Sequence, residues 1–164
     1  TPTKNAGQPA NAKVPTTGTV TVDVATTRGD MTFALDRAKA PCTVNSFLYL
    51  AGKNYFDNTP CHRIIKGFVV QCGDPTGKGT GGPGYEFADE LPQAGEYKIG
   101  SLAMANSGPN TNGSQFFITI DDCTRKLTKD YNLFGYVVEG LDVAQSTQVG
   151  DVMQTVAVEE RPRG

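Results

Sequence analysis

Apolar and polar residues alternate over residues 18–26, where Val20, Val22 and Val24 share one face, and again at Met31, Phe33 and Leu35. That period of two predicts a β-hairpin with one face inward, and Arg28-Gly29-Asp30 supplies its turn. From Pro41 the period changes. Val44, Phe47, Leu48 and Ala51 recur at helical spacing, Pro41 suits the first turn, where its missing N–H costs nothing, and Gly52 is a good stop. A second hairpin is expected from Cys61-His62-Arg63-Ile64-Ile65 and Val69-Val70-Gln71, joined by Lys66-Gly67. Further short strands are expected over 85–87, 101–104, 114–120, 133–138 and 155–158, with a short helix over 140–148. Many short strands with two helices predict a mainly β protein, a closed antiparallel barrel with helices at its ends. Residues 1–16 (TPTKNAGQPANAKVPT) lack any such period and are expected as a flexible tail or linker before one domain, 17–164.

Composition narrows the picture. The 164 residues suit one domain with a sizeable core. A net charge of −2 without basic runs leaves no electrostatic footprint for nucleic acid. No apolar run approaches the ~18 residues of a membrane-spanning helix. Four cysteines, Cys42, Cys61, Cys72 and Cys123, form no CxxC pair, and the lone His62 leaves no zinc pattern. They read either as unpaired, buried small hydrophobes or as an oxidised pair in an exported protein. In a regular hairpin register the side chains of Cys61 and Cys72 point to opposite faces, which disfavours a bridge between them.

The candidate chemistry lies in the second hairpin. With Arg63 opposite Gln71, a guanidinium and an amide project side by side, and Phe68 and Val69 flank them as apolar wall. The stretch carries no nucleophile–base pair, metal-ligand cluster or phosphate loop. The glycine run 73–84 (GDPTGKGTGGPG) lacks the G-K-[ST] arrangement and reads as a surface loop passing close to a ligand. Alternation in SQFFITI puts Gln115 and Phe117 on one face and Phe116 and Ile118 on the other, one set inside the barrel and one in a pocket. His62, of opposite parity to Arg63, is expected to face the core with its hydrogen bonds satisfied. The triplet Arg28-Gly29-Asp30 is read as turn chemistry and not as an adhesion motif.

At these positions the chain resembles the cyclophilins, peptidyl-prolyl cis-trans isomerases. The likeness spans about residues 18–158 through H-R-I-I-x-G-F-x-x-Q-x-G-D, G-T-G-G, M-A-N-S-G-P-N-T-N-G-S-Q-F-F-I-T and L-F-G. A-P-C-T-V-N-S-F, C-H-R and Q-C-G-D-P are similar to exported or anchored actinobacterial members. The resemblance implies an eight-stranded antiparallel barrel capped by two helices, with the active site on its outer surface. It makes Arg63 the catalytic arginine and Gln71 its neighbour. Phe68, Phe117 and Leu127 become walls of a proline pocket, with Val69 and Tyr131 standing where many members have methionine and histidine. Ala105, Asn106 and Thr111 border the extended peptide, and Gln115 completes the expected substrate-binding set.

The implied substrates are X–Pro bonds in peptides and unfolded proteins, with a role in assisting folding. A monomer is expected, and no cofactor or metal is implied. Lys126 stands where many eukaryotic members have tryptophan, which implies weakened cyclosporin binding. An exported or envelope-attached protein is expected over a cytoplasmic one. The competing function is a binding module that holds proline-containing segments in the same groove. A redox role for the cysteines has no CxxC to support it.

Overall fold

The computed structural model describes residues 14–79, 81–92, 97–123, 127 and 130–159. Most of the expected tail, residues 1–13, and Lys126 lie outside the described residues, and residues 14–16 carry no regular structure. The elements in chain order are β1 (Thr19–Thr26), β2 (Gly29–Asp36), α1 (Pro41–Gly52), β3 (Thr59–Pro60), β4 (Arg63–Ile65), β5 (Val69–Cys72), β6 (Ser101–Met104), β7 (Phe116–Thr119), β8 (Leu133–Glu139), α2 (Leu141–Ser146) and β9 (Val152–Val158).

The strands form one antiparallel sheet in the order β3-β9-β1-β2-β8-β6-β7-β5-β4. Its two end strands are neighbours in the chain, separated only by Cys61 and His62. The Cys61 N–H donates to Asp151 O at 3.1 Å and the His62 N–H to Gln71 O at 3.1 Å. Residues 59–65 therefore act as one bent strand that serves β9 with its first half and β5 with its second. Among the described residues nine pairing segments stand where eight strands were expected, because this bend splits one of them.

The inward face follows the alternation read from the sequence. Val22, Val24, Phe33, Leu35, Val70, Leu102, Met104, Phe116, Ile118 and Phe134 are all buried in one cluster. Helix α1 adds Val44, Phe47, Leu50 and Ala51 to it. The Phe47 ring stacks on Phe56 with centroids 4.7 Å apart and meets Phe116 edge-on at 5.5 Å. Nothing on α1 caps its own N-terminus. The Glu90 carboxylate does so from a distant loop, accepting from the N–H groups of Cys42 at 2.9 Å and Thr43 at 2.7 Å. A carboxylate there satisfies two orphan donors and meets the positive end of the helix dipole.

Several local expectations change. The first hairpin turns at Thr27-Arg28, and Gly29 and Asp30 already pair with Thr26 and Ala25. Arg28 is tied to Asp151 by an ion pair at 3.0 Å, so the Arg-Gly-Asp triplet is not presented on a free loop. Residues 85–87 form no strand, only a bridge from Phe87 to Asn112. β9 starts three residues earlier than expected. A register shift against β1 breaks its alternation, so Met153 and Val156 are both buried three positions apart.

The largest correction concerns the cysteines. Cys61 and Cys72 form a disulfide, with Cα atoms 4.1 Å apart, while Cys42 and Cys123 are not disulfide-bonded. Parity argued against this bridge, but parity holds only within a continuous ladder. β4 begins at Arg63, and the bend before it swings Cys61 inward, where both sulfurs join the core. A Cys61→Ala/Cys72→Ala double variant is expected to fold and to lose about 2–3 kcal/mol of unfolding free energy, the loop-entropy value for a bridge of this separation. Urea denaturation of the two proteins measures it.

Candidate active site

The outward face of the sheet is organised by register. Arg63 pairs with Gln71, Gln71 with Phe117, Phe117 with Ala103, and Ala103 with Leu133. One rung thus crosses β4, β5, β7, β6 and β8, running from a cation through an amide to an aromatic ring and its apolar floor. Phe117, Val69, Ala103, Leu133, Tyr97 and Cys123 form a second buried cluster, separate from the barrel core. Ile65, Phe68, Ala105, Leu127 and Tyr131 pack around it half-buried. The Tyr131 ring stands edge-on to Phe117 at 5.4 Å. These residues make an apolar recess on the outside of the sheet, as alternation in SQFFITI required.

An open groove of about 800 Å³ adjoins it, lined by Arg63, Gln71, Ala105, Asn106, Thr111 and Gln115 and by the glycine-rich loop through Gly79, Gly81 and Gly82. The residues expected at the site thus divide into two neighbouring groups. Six line the groove, and five (Phe68, Val69, Phe117, Leu127 and Tyr131) belong to the recess.

Hydrogen bonds hold the groove but do not engage the Arg63 side chain among the described residues. Arg63 is exposed, and no hydrogen bond or ion pair joins its side chain to another described residue. Gln71, expected to hold the guanidinium, instead donates through Nε2 to Gln115 Oε1 at 2.9 Å. Gln115 in turn donates to Gly79 O at 2.9 Å and Gly81 O at 3.1 Å, fixing the loop as the far bank. On the near side Asn106 Nδ2 donates to Asp130 O at 2.9 Å, and Thr111 Oγ1 both accepts from Ser107 N–H at 2.7 Å and donates to Gly108 O at 2.8 Å.

The loop has its own anchor, which sequence reading missed. Asp74 is buried and accepts from the Thr76 hydroxyl and from the N–H groups of Thr76 and Gly79. Burial opposes ionisation, but these bonds and one from the Gly81 N–H outweigh it and hold the carboxyl below its ordinary range. Gly73 before it has φ +94°, and a Cβ there would collide with Ser114 O, so only glycine lets the loop leave β5 so close to residue 114.

His62 departs from its expectation. It is half-buried beneath Gly79, outside the barrel core, and neither ring nitrogen has a partner among the described residues. Burial lowers its pKa; Asp74 pulls the other way and Arg63 adds to the lowering, so the ring is kept neutral. Ala103, Leu133 and Tyr97 were also missed. Nothing local marks them, since their role depends on which strands are neighbours.

A family model, cyclophilin-type peptidyl-prolyl cis-trans isomerase/CLD, matches residues 21–163. The chain belongs to the cyclophilin family. This cyclophilin is 44% identical over 161 residues to the Mycobacterium leprae protein called "Probable peptidyl-prolyl cis-trans isomerase B", covering 88% of this chain and 54% of that one. It is 42% identical to peptidyl-prolyl cis-trans isomerase A of Mycobacterium tuberculosis, covering 88% of this chain and 86% of that protein. The chain spans about half the length of the B-type relatives, 54% and 46% for the leprae and tuberculosis proteins. Among solved structures, a Cryptosporidium parvum cyclophilin-type isomerase superposes with a TM-score of 0.79 at 33% identity, covering 88% of this chain and all of that one. The actinobacterial resemblance and the mainly β, two-helix fold are both supported by these relatives.

Asp74 makes the loop acid-sensitive. Its pKa is depressed in the folded state, so its contribution is complete above about pH 5 and disappears as pH falls through the folded value. Asp74→Asn is expected to melt at a lower temperature than wild type at pH 7, with the gap narrowing as pH falls below the ordinary carboxylate range. Thermal melts across that range test the sign.

Proposed function

We propose that this cyclophilin catalyses cis-trans isomerisation of X–Pro bonds in peptides and unfolded proteins, with assistance of folding as its role. The observation that carries the reading is a guanidinium without an acceptor among the described residues, on the same rung as the buried Phe117 of an apolar recess. Rotation about X–Pro is opposed by amide resonance, with a barrier of about 18–20 kcal/mol. As the bond twists, the prolyl nitrogen pyramidalises and its lone pair localises. A fixed donor aimed at that nitrogen then binds the twisted state more tightly than either planar one.

Arg63 suits this role, being always charged and carrying a rigid fork of N–H groups. Phe117, with Phe68, Val69, Leu127 and Tyr131 around it, holds the proline ring while the carbonyl side swings. Ala105, Asn106, Thr111 and Gln115 border the rest of the peptide, and Gln71 orders that border through Gln115. No proton or electron is transferred and no covalent bond forms in this reading. The Cys61–Cys72 bridge supports an oxidising compartment, hence an exported or envelope-attached protein.

A binding module with the same groove is the second reading. It has use for the recess but none for an unpaired cation. Replacing Arg63 by Ala separates them: turnover (kcat/KM) on a proline peptide is expected to fall about 100-fold, the scale for losing one transition-state donor, while peptide affinity changes only a few-fold. Equal loss of both would favour the binding module. Lys126 is the basis for weak cyclosporin binding. Lys126→Trp is expected to tighten it at least tenfold by titration calorimetry, through the apolar and N–H contacts an indole adds.

A further inference from the structure

Tyr97 is fully buried next to the recess, yet it lines neither the groove nor the expected set of substrate contacts. Its hydroxyl works in both directions on a single residue. It donates to Tyr131 O at 2.6 Å and accepts from Tyr131 N–H at 3.2 Å. Its own carbonyl accepts from Cys123 N–H at 2.8 Å, and the Cys123 thiol reaches Phe68 O at 3.5 Å. Its ring lies edge-on to that of Tyr131 at 6.4 Å, and Tyr131 is edge-on to Phe117 at 5.4 Å. The preceding carbonyl, Asp130 O, is taken by Asn106. The chain at 130–131 is therefore pinned by two side chains from elsewhere in the fold, with Tyr131 held by one hydroxyl at both of its backbone polar groups.

We propose that Tyr97 is a positioning residue for the proline recess, its hydroxyl setting where the Tyr131 wall stands against Phe117. The inference rests on the isomerase reading of the recess. Tyr131 sits two residues before β8, outside any ladder, so no sheet bond fixes it. A phenylalanine at 97 would keep the volume and the ring contact but strand the Tyr131 N–H and carbonyl. The wall then loses its position while the rung bearing Arg63 stays intact. Burial pushes the Tyr97 pKa up to about 12, so the hydroxyl remains a donor throughout the physiological range.

The test is Tyr97→Phe assayed on a short Ala-Pro peptide by exchange-resolved NMR over a range of peptide concentrations. KM is expected to rise about 3- to 10-fold with kcat within twofold, the pattern of lost ground-state and transition-state binding alike. In a Tyr131→Ala background the same substitution is expected to add nothing, since the wall it positions is gone; a merely structural role would add in both backgrounds. An unchanged KM, or additive effects, would overturn the proposal. Should wild type show no turnover, the isomerase reading fails by itself, and the proposal is then judged by peptide Kd, which must rise by the same factor. If Tyr97→Phe does not fold, amide exchange of wild-type Tyr131 decides: strong protection is expected, and exchange at the rate of an open loop would overturn it.

Discussion

The site depends on the register of five antiparallel strands. Because side chains alternate with a period of two, a sheet whose inner face is filled must present its other residues outward in aligned rows. Ile64, Val70, Ile118 and Leu102 fill the inner rung, and one step along Arg63, Gln71, Phe117 and Ala103 form the outer one. A slip of one residue between β4 and β5 would turn the arginine toward the core, and a slip in any of the other pairs would break the row. The hydrophobic effect that closes the barrel therefore also aligns the cation with the recess, and the core and the site are two faces of one constraint.

Around that row the polar groups follow a division of labour. Gln71, Gln115 and the carbonyls of Gly79 and Gly81 satisfy one another and tie the loop to the sheet. Arg63 is left out of that network. Under the proposed mechanism, a donor already committed to a protein carboxylate would first have to break that bond, whereas an uncommitted one needs no such step. Asp74 and Glu90 do comparable work out of sight. One gathers N–H groups to fold the loop, and the other gathers them to begin α1.

What could be read along the chain was what short-range geometry decides. The Arg63–Gln71 pairing needs only a hairpin, closed here by the three-residue loop Lys66-Gly67-Phe68, and the split between Phe117 and Phe116 needs only alternation. The same rule failed at Cys61 because a bend lies between it and Arg63, and no residue there announces the bend. It failed again at β9, where a register shift against β1 broke the pattern. Tyr85-Glu86-Phe87 alternates like a strand but finds only one bridging partner, since strand propensity is realised only where a neighbouring edge is available.

By itself the sequence determined the elements with a strong period, the barrel class, the hairpin that carries the arginine and the motifs that mark the family. Tertiary structure alone decided which strands are neighbours, and with that the floor of the recess at Ala103 and Leu133. It also decided that Cys61 meets Cys72, that Glu90 caps a helix 47 residues upstream, and that the hydroxyl of Tyr97 holds Tyr131 across 34 residues. The reason is range. Propensity and alternation act over a few residues, whereas a buried donor or acceptor takes whichever partner the closed fold delivers, from any distance along the chain.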